Sequence, residues 1–248
     1  MKDKEIKNIV QQRYAALAQE PGCCYGGSCC GTETGAVTPL VDYGELSLEI
    51  VSGADLGLGC GIPTRDAGIR PGDTVLDMGC GGGVDVFLAA NAVGPTGRVI
   101  GVDMTPEMIA KAWNNALKNN YRNVDFRLGD IEDLPVSGDS VDVVISNCVI
   151  NLAPDKKRVF DEIYRVLKIG GHFAISDMVT HGDIPQSVRD DMELWAGCVA
   201  GAMDRDEYLE LIRQSGFGEI SVKGSSEYDA LKGDNYGIVS ITVEAYKA

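Results

Sequence analysis

Short apolar segments alternate with helix-length segments between residues 72 and 177, and this alternation limits the possible folds more than any other feature. Apolar stretches of strand length bounded by glycine, proline or asparagine predict strands, and helical spacing between them predicts connecting helices. Since strands joined by helices run parallel, the sequence predicts a doubly wound α/β sheet. The predicted strands are Val75–Met78, Arg98–Asp103, Val124–Leu128, Val141–Ser146 and Gly171–Ser176, and the helices are Val84–Val93, Pro106–Asn119 and Lys156–Leu167.

The regions on either side of the alternating part have different patterns. Helices are predicted at Lys4–Glu20, Gly44–Ser52, Ser187–Ala200 and Arg205–Ser215. Two late strands, near Ile220 and at Ile238–Tyr246, have no helix between them, so we expect them to pair antiparallel at the sheet edge. We therefore divide the chain into an N-terminal cysteine-rich cap (1–65), a central cofactor-binding unit (66–180) and a C-terminal substrate-binding part with closing strands (181–248).

Composition excludes several classes of partner. The chain has 248 residues and a net charge of −15, which argues against nucleic acid and anionic lipid as ligands. It contains no apolar run long enough to span a membrane, and its charged N-terminus does not look like a secretory signal. We therefore expect a cytoplasmic protein whose eight cysteines stay reduced and serve as ligands or reactive groups.

A glycine turn between the first strand and the first helix of the central unit predicts a nucleotide-like cofactor. Gly79 and Gly81 allow the backbone to approach a ligand closely. A dinucleotide fingerprint needs a third glycine where this chain has Val84. Asp77, at the strand end, would repel a pyrophosphate but suits a ligand with positive charge. This combination favours S-adenosylmethionine, which carries an ammonium and a sulfonium and no phosphate.

Acidic residues also end the next two strands. Asp103 lies where a carboxylate can accept hydrogen bonds from both ribose hydroxyls, and Asp130 with Ile131 ends the third strand, where an adenine amino group can be held. The alternative is an α/β protein with a tight glycine turn and unrelated acids. The recurrence of acids at three successive strand ends favours the cofactor site.

The fourth strand ends in a thiol. The apolar run that begins at Val141 continues to Ser146, Asn147 and Cys148. Open α/β sheets bind ligands at the carboxyl ends of their strands, so Cys148 is predicted to face the site. A cysteine in this position indicates a thiophilic acceptor.

The segment of residues 70–180 resembles the class I S-adenosylmethionine-dependent methyltransferases. The similarity rests on Val75–Gly83 and on Arg165–Gly171, the turn into the fifth strand. It implies a Rossmann-like, seven-stranded sheet whose last strand is antiparallel, with an N-terminal helical and loop extension and a C-terminal substrate segment. The cofactor-binding residues expected on this basis and from the strand ends are Asp77, Gly79, Cys80, Gly81, Asp85, Asp103, Met104, Asp130, Ile131, Glu132 and Asn147.

Three cysteine segments are similar to those of the arsenite methyltransferases within that class. These are Gly59–Gly61, Ser146–Leu152 and Leu194–Ala202. The resemblance implies that Cys60, Cys148 and Cys198 bind trivalent arsenic as thiolates. A further family cysteine lies towards the N-terminus, where this chain offers four candidates, Cys23, Cys24, Cys29 and Cys30. The family also implies a thiol reductant, thioredoxin or glutathione, as co-substrate.

Alternatives remain for several of these residues. The four N-terminal cysteines could capture arsenic for the inner site, form a zinc or iron–sulfur site, or act as a redox loop. Cys80 is interpreted as a cofactor-loop residue, and His172 as structural. Two other functions are possible. One is methylation of a small organic acceptor such as a quinone or sterol precursor, and the other is non-catalytic metalloid binding by thiols.

Overall fold

The computed structural model describes residues 3–19, 51, 53–182, 184, 201–227 and 236–248. Several predicted features lie outside these ranges. They are the short helix over 44–52, the helix over 187–200, Cys198 and the four cysteines Cys23, Cys24, Cys29 and Cys30.

Eight strands form one mixed sheet around which the rest of the described chain is arranged. Its order is β3-β2-β1-β4-β5-β8-β7, and the short strand β6 pairs with β5. Strands β1 to β5 run parallel, as the alternating pattern predicts. The strands are β1 (Thr74–Met78), β2 (Arg98–Asp103), β3 (Val124–Leu128), β4 (Val141–Asn147), β5 (Leu167–Gly182), β6 (Met203–Asp204), β7 (Phe217–Glu227) and β8 (Tyr236–Lys247).

Helices cover both faces of this sheet. Successive strand residues point to opposite sides, and apolar residues on each side pack against helices. Leu76 packs in one apolar cluster with α5 and α6, while its neighbour Val75 packs in a second cluster with α3 and α4. The three helices predicted in the central unit are confirmed with ends that differ by no more than one residue. The helices are α1 (Asp3–Gln19), α2 (Pro63–Asp66), α3 (Val84–Val93), α4 (Pro106–Lys118), α5 (Lys156–Val166) and α6 (Arg205–Gln214), with a 3-10 turn at Ile150–Leu152.

The two late strands pair antiparallel at one edge of the sheet, as predicted. Strand β8 lies between β5 and β7, so β7 alone forms that edge. Strand β5 also extends well past its predicted end at Ser176, because β8 supplies hydrogen-bond partners from His172 to Gly182. The C-terminal strands therefore belong to the same sheet as the central unit, and β5 crosses the predicted boundary at residue 180.

Helix α1 lies over the carboxyl edge of the sheet. Its buried residues Ile6 and Val10 pack in an apolar cluster with Cys60, Cys148 and Met178, among others. Lys111 on α4 donates a hydrogen bond to the Ala18 carbonyl and holds the end of α1. None of the helices that the structure describes has the length and apolar character needed to cross a bilayer.

A buried acid lies beneath this edge on β5. Asp177 is almost fully buried, and the Met178 backbone N–H and the Tyr208 hydroxyl donate to its two carboxylate oxygens. Burial is the main cause that raises the pKa of Asp177, to about 7, and these hydrogen bonds and the charge of Lys156 only partly oppose it. The folded state therefore holds a proton here that the unfolded chain releases at lower pH.

As pH rises from about 4 to about 7, we expect the free energy of unfolding to fall less in the Asp177→Asn variant than in the wild type. In this window the folded wild type binds more protons than the unfolded chain, so its free energy of unfolding falls as pH rises. An amide does not ionise and removes this contribution. Urea unfolding across the pH range measures the effect, with exposed Asp161→Asn on α5 as control. A pH slope in Asp177→Asn equal to that of the wild type would contradict the assignment.

Candidate functional site

A cleft opens where β1, β2 and β4 end, at the carboxyl edge of the sheet. Parallel strands bring their carboxyl ends to one edge, which is where ligands bind in open α/β sheets. Most of the residues predicted to bind the cofactor line it. These are Asp77, Gly79, Cys80, Gly81, Asp85, Asp103, Met104, Asp130, Ile131 and Asn147.

The glycine turn forms the floor of the cleft. Gly79 adopts a left-handed conformation with φ of 72°, and a β-carbon there would collide with the Val149 side chain. Its N–H donates to the Val102 carbonyl at 2.7 Å, which ties the turn to β2. At Gly81, also left-handed, a β-carbon would meet nothing within 4 Å. The turn therefore exposes backbone to the cleft, so a ligand can approach it closely.

Three buried carboxyl groups surround this turn. Asp77, Asp85 and Asp103 have 3%, 4% and 8% of their surfaces exposed. Burial, followed by the nearby Asp85 and Asp103, raises the pKa of Asp77 well above its ordinary value. Burial also raises the pKa of Asp103, although its two oxygens accept backbone N–H groups of Gly81 and Thr105 at 2.9 Å each. Such a cluster favours a ligand that brings positive charge and hydroxyl donors.

Helix α1 closes one side of the cleft through polar contacts that the sequence did not indicate. Lys7 forms ion pairs of 2.5 Å with both Asp130 and Glu132, and Gln11 donates to the Met104 carbonyl at 2.7 Å. Burial lowers the pKa of Lys7, but its hydrogen bonds to the two acids outweigh this and raise it. Lys7 was missed because a lysine in a charged N-terminal helix gives no signal of its distant partners.

Glu132 does not line the cleft, in contrast to the other residues predicted to bind the cofactor. Besides its ion pair with Lys7, its carboxylate accepts the backbone N–H of Asp155 at 2.9 Å. It therefore anchors α1 and the start of α5. That Glu132 contacts the cofactor therefore stays a prediction, whereas Asp130 and Ile131 line the cleft wall.

Two of the predicted thiol ligands meet beside the cleft. Cys148 follows β4 in a left-handed conformation with φ of 58°, and its N–H donates to the Ser176 carbonyl at 2.8 Å. The structure joins it to Cys60 by a disulfide, with 5.8 Å between the two Cα atoms. The sequence predicts that these thiols are reduced. In the structure the two cysteines are buried in one apolar cluster and their sulfurs lie within bonding distance.

Asn147, predicted to contact the cofactor, also bonds to neighbouring parts of the protein. It lines the cleft, yet its side-chain oxygen accepts the backbone N–H groups of Cys60 and Gly61 at 3.0 and 3.2 Å. Its amide nitrogen donates to the Gly61 carbonyl at 2.7 Å and to Asp85 at 3.3 Å. The side chain therefore connects the Cys60 loop to Asp85 at the start of α3.

Cys80 and His172 take no part in the Cys60–Cys148 disulfide. Cys80 is a free, buried cysteine on the glycine turn, and burial, with Asp103 and Asp77 nearby, raises its pKa well above the ordinary value. His172 bonds to the Ala67 carbonyl and stacks on Tyr246, in keeping with a structural role. Among the described residues, no three His, Cys, Asp or Glu side chains form a metal-binding group.

We expect Lys7→Met to weaken binding of S-adenosylmethionine by about three- to tenfold, because α1 then loses its ionic contacts with the cleft wall. Titration calorimetry measures the dissociation constant. Lys4→Met, an exposed lysine on the same helix, is the matched control and should bind as the wild type does. Equal affinities in the two variants would show that α1 does not help to hold the ligand.

We expect iodoacetamide to alkylate Cys80 at least about tenfold more slowly in the folded protein than in urea at neutral pH, because the thiolate is the reacting species and the raised pKa keeps this thiol protonated. Mass spectrometry of the Cys80 peptide at successive times measures the rate. Rapid alkylation in the folded state would contradict a buried, protonated thiol.

Comparison with known proteins identifies the family of this chain. A family model described as "Methyltransferase domain" matches residues 69–216. The chain is 46% identical to an arsenite methyltransferase of Halobacterium salinarum over 98% of its own length and 67% of the relative's. It is 34% identical to the arsenite methyltransferase of Mus musculus, over 98% of this chain and 68% of that protein.

A solved structure gives the same relationship in three dimensions. The crystal structure of CrArsM, an arsenic (III) S-adenosylmethionine methyltransferase from Chlamydomonas reinhardtii, superposes with a TM-score of 0.70 at 38% identity. The match covers 77% of this chain and 68% of that one. The chain therefore spans about two thirds of the length of these relatives.

Proposed function

This chain belongs to the arsenite methyltransferase family, and we propose that it transfers a methyl group from S-adenosylmethionine to trivalent arsenic bound by cysteine thiolates. The observation that carries the proposal is the meeting of Cys60 and Cys148 beside a cleft suited to that cofactor. Cys198, outside the described residues, is proposed as the third thiolate, because its segment resembles the family.

The thiol pair supports arsenic as the acceptor. Trivalent arsenic is soft and prefers thiolates to oxygen or nitrogen ligands, as soft metals do. Two sulfurs that can form a disulfide lie close enough to bind one arsenic atom once they are reduced, and Cys148 lines the cleft itself. Arsenic bound by thiolates keeps its lone pair, which is the nucleophile that the reaction needs.

The cleft fits the proposed cofactor. When bound, S-adenosylmethionine supplies an electrophilic methyl group on a sulfonium. Asp77 is placed to attract its positively charged amino-acid portion, and Asp103 has acceptor capacity left for ribose hydroxyls, because each carboxylate oxygen has two lone pairs. Asp130 and Ile131 are proposed to hold the adenine, and the open space at Gly81 leaves room for close approach.

Positioning supplies most of the catalysis in this proposal. The described lining of the cleft contains no histidine, and attack by an arsenic lone pair requires no general base. The chain's own contribution is to fix arsenic on one side and to bind the cofactor on the other. Bringing two reactants together in this way lowers the barrier substantially without proton transfer.

Lone-pair attack forms an As–CH3 bond and breaks the S–CH3 bond of the sulfonium, which releases S-adenosylhomocysteine and oxidises arsenic from the trivalent to the pentavalent state. Two cysteine thiolates then return two electrons to arsenic and become the disulfide, and a thiol reductant completes the proposed cycle. The Cys60–Cys148 disulfide cannot bind arsenic until two thiols donate two electrons and two protons to it, which regenerates both cysteines. We propose thioredoxin or glutathione for this step, and the cytoplasm, where these reductants are abundant, as the place where the protein works. The buried position of both cysteines favours a small reductant or local opening of the structure.

The test is arsenic speciation after the purified protein is incubated with arsenite, S-adenosylmethionine and glutathione. We expect methylated arsenic from the wild type and a loss of at least about 100-fold in Cys148→Ser, because a hydroxyl does not replace a thiolate on arsenic. Cofactor binding by calorimetry verifies that the variant is folded. Unchanged arsenic methylation in Cys148→Ser would overturn its role as a ligand, and a folded wild type that binds cofactor but leaves arsenite unmethylated would favour an organic acceptor.

A further inference from the structure

The Asn147 side chain makes most of the described side-chain hydrogen bonds to the backbone of Cys60 and Gly61. Cys60 follows a stretch, 53–59, without helix or strand, so no ladder of backbone hydrogen bonds fixes it. Asn147 makes three hydrogen bonds to this peptide, accepting from the N–H groups of Cys60 and Gly61 and donating to the Gly61 carbonyl. We propose that Asn147 is a positioning residue that holds Cys60 beside Cys148 so that both thiolates bind one arsenic atom, an inference that rests on the function proposed above.

Asn147 itself is rigidly placed. It is the last residue of β4 and pairs with Ser176 on β5, and the preceding residue Ser146 pairs with Met78 on β1. The Ser146 hydroxyl also donates to the Met78 carbonyl at 3.0 Å, in a fully buried position. Because β4 is hydrogen-bonded to a strand on each side, the Asn147 side chain has little freedom, and neither has the Cys60 loop that it holds. Since Asn147 directly precedes Cys148, the same strand end sets the positions of both sulfurs.

The chemistry of the amide suits this task. An asparagine side chain accepts through its oxygen and donates through its nitrogen, so it can satisfy both the N–H and the C=O group of one residue, here Gly61. An aspartate would accept but not donate, and it would bring a charge next to Asp85. A buried peptide that lost these contacts would leave polar groups unsatisfied, which is costly.

Two further contacts hold the same peptide from the opposite side. The Ser240 hydroxyl on β8 donates to the Cys60 carbonyl at 2.7 Å, and Ser240 is buried. At Gly61, a β-carbon would collide with the Ser176 side chain, so the loop lies directly against β5. Cys60 is therefore fixed between β4 and β8, and the position of its sulfur relative to Cys148 is built into the fold before any ligand arrives.

The first test measures how strongly the fold favours the thiol pair, without arsenic or cofactor. In glutathione buffers the two thiols are oxidised to the disulfide while one glutathione disulfide is reduced to two glutathione molecules. We expect Asn147→Ala to lower this equilibrium constant by about tenfold or more, and Ser240→Ala to lower it by a smaller factor, because each loses contacts that hold Cys60. Mass spectrometry of the linked Cys60–Cys148 peptide in the acid-quenched full-length chain gives the ratio.

The matched control is Asn123→Ala. Asn123 also donates its amide to backbone carbonyls, those of Ala90 and Gly94, but at the end of α3 that lies away from the cleft. It should leave the equilibrium constant unchanged. If Asn147→Ala does not fold, Asn147→Ser and Ser240→Ala decide the question. The proposal is overturned if the thiol–disulfide equilibrium constants of the folded Asn147 variant and of Ser240→Ala both equal that of the wild type.

The second test separates positioning from general damage to the enzyme. We expect Asn147→Ala to raise the KM for arsenite by about tenfold, and by a larger factor than it raises the dissociation constant of S-adenosylmethionine. In a Cys60→Ser background the Asn147 substitution should have little further effect on arsenite binding, because Asn147 acts through Cys60. Equal losses with and without Cys60 would overturn the proposal.

The two tests also keep this inference distinct from the proposed function. A wild type that does not methylate arsenite, together with a shifted thiol equilibrium in Asn147→Ala, would reject the function and retain the positioning role. Methylation by the wild type with unchanged equilibrium and KM in Asn147→Ala would reject the positioning role and retain the function.

Discussion

The parallel pairing of β1 with β2 on one side and β4 on the other is the constraint on which the site depends. Asp77 pairs with Gly101 on β2 and with Ile145 on β4, so the three strands end at one level. Each strand end then contributes its own group: β1 leads into the glycine turn, β2 ends in Asp103, and β4 supplies Asn147 and, directly after it, Cys148. A shift of β4 by one residue would turn its side chains to the opposite faces and separate the thiol from the cofactor cleft.

Burial of three acidic side chains makes the carboxyl edge of the sheet favour ligands that bring positive charge. Asp77, Asp85 and Asp103 lie close together with little exposure, which raises the pKa of both Asp77 and Asp103. The arrangement is unfavourable without a partner, and a ligand that brings positive charge relieves it. Lys7 supplies positive charge only at the far wall, where it pairs with Asp130 and Glu132. The cleft therefore combines a wall whose acidic charge Lys7 partly offsets with a floor that favours a cationic ligand.

The part of the site that contains Cys60 and Cys148 depends on the same strands but is held in place by different contacts. Cys60 comes from an irregular segment, and side chains rather than a backbone ladder hold it. Asn147 contacts that segment and Asp85 at once, so one amide joins the two halves of the site. In the proposed reaction, where positioning contributes more than proton transfer, such a connection fixes the acceptor relative to the cofactor cleft.

The sequence by itself determined the strands and helices of the central unit, the glycine turn and the acids at the strand ends. These follow from hydrophobic period and from residues next to one another in the chain. It ended β5 too early, at Ser176, because the length of that strand depends on β8, a distant segment that lies alongside it.

Only the tertiary structure decided the contacts between residues far apart in the chain. Cys60 and Cys148 are 88 residues apart in the chain. The Lys7 ammonium group likewise contacts the Asp130 carboxylate, although the two residues belong to the N-terminal and central parts of the chain. The sequence marked Asn147 as a site residue, but its hydrogen bonds to the Cys60 loop gave no sign in the chain. Local patterns report which face of an element is buried, whereas partners across the fold are set by how the elements pack, and that information is not local.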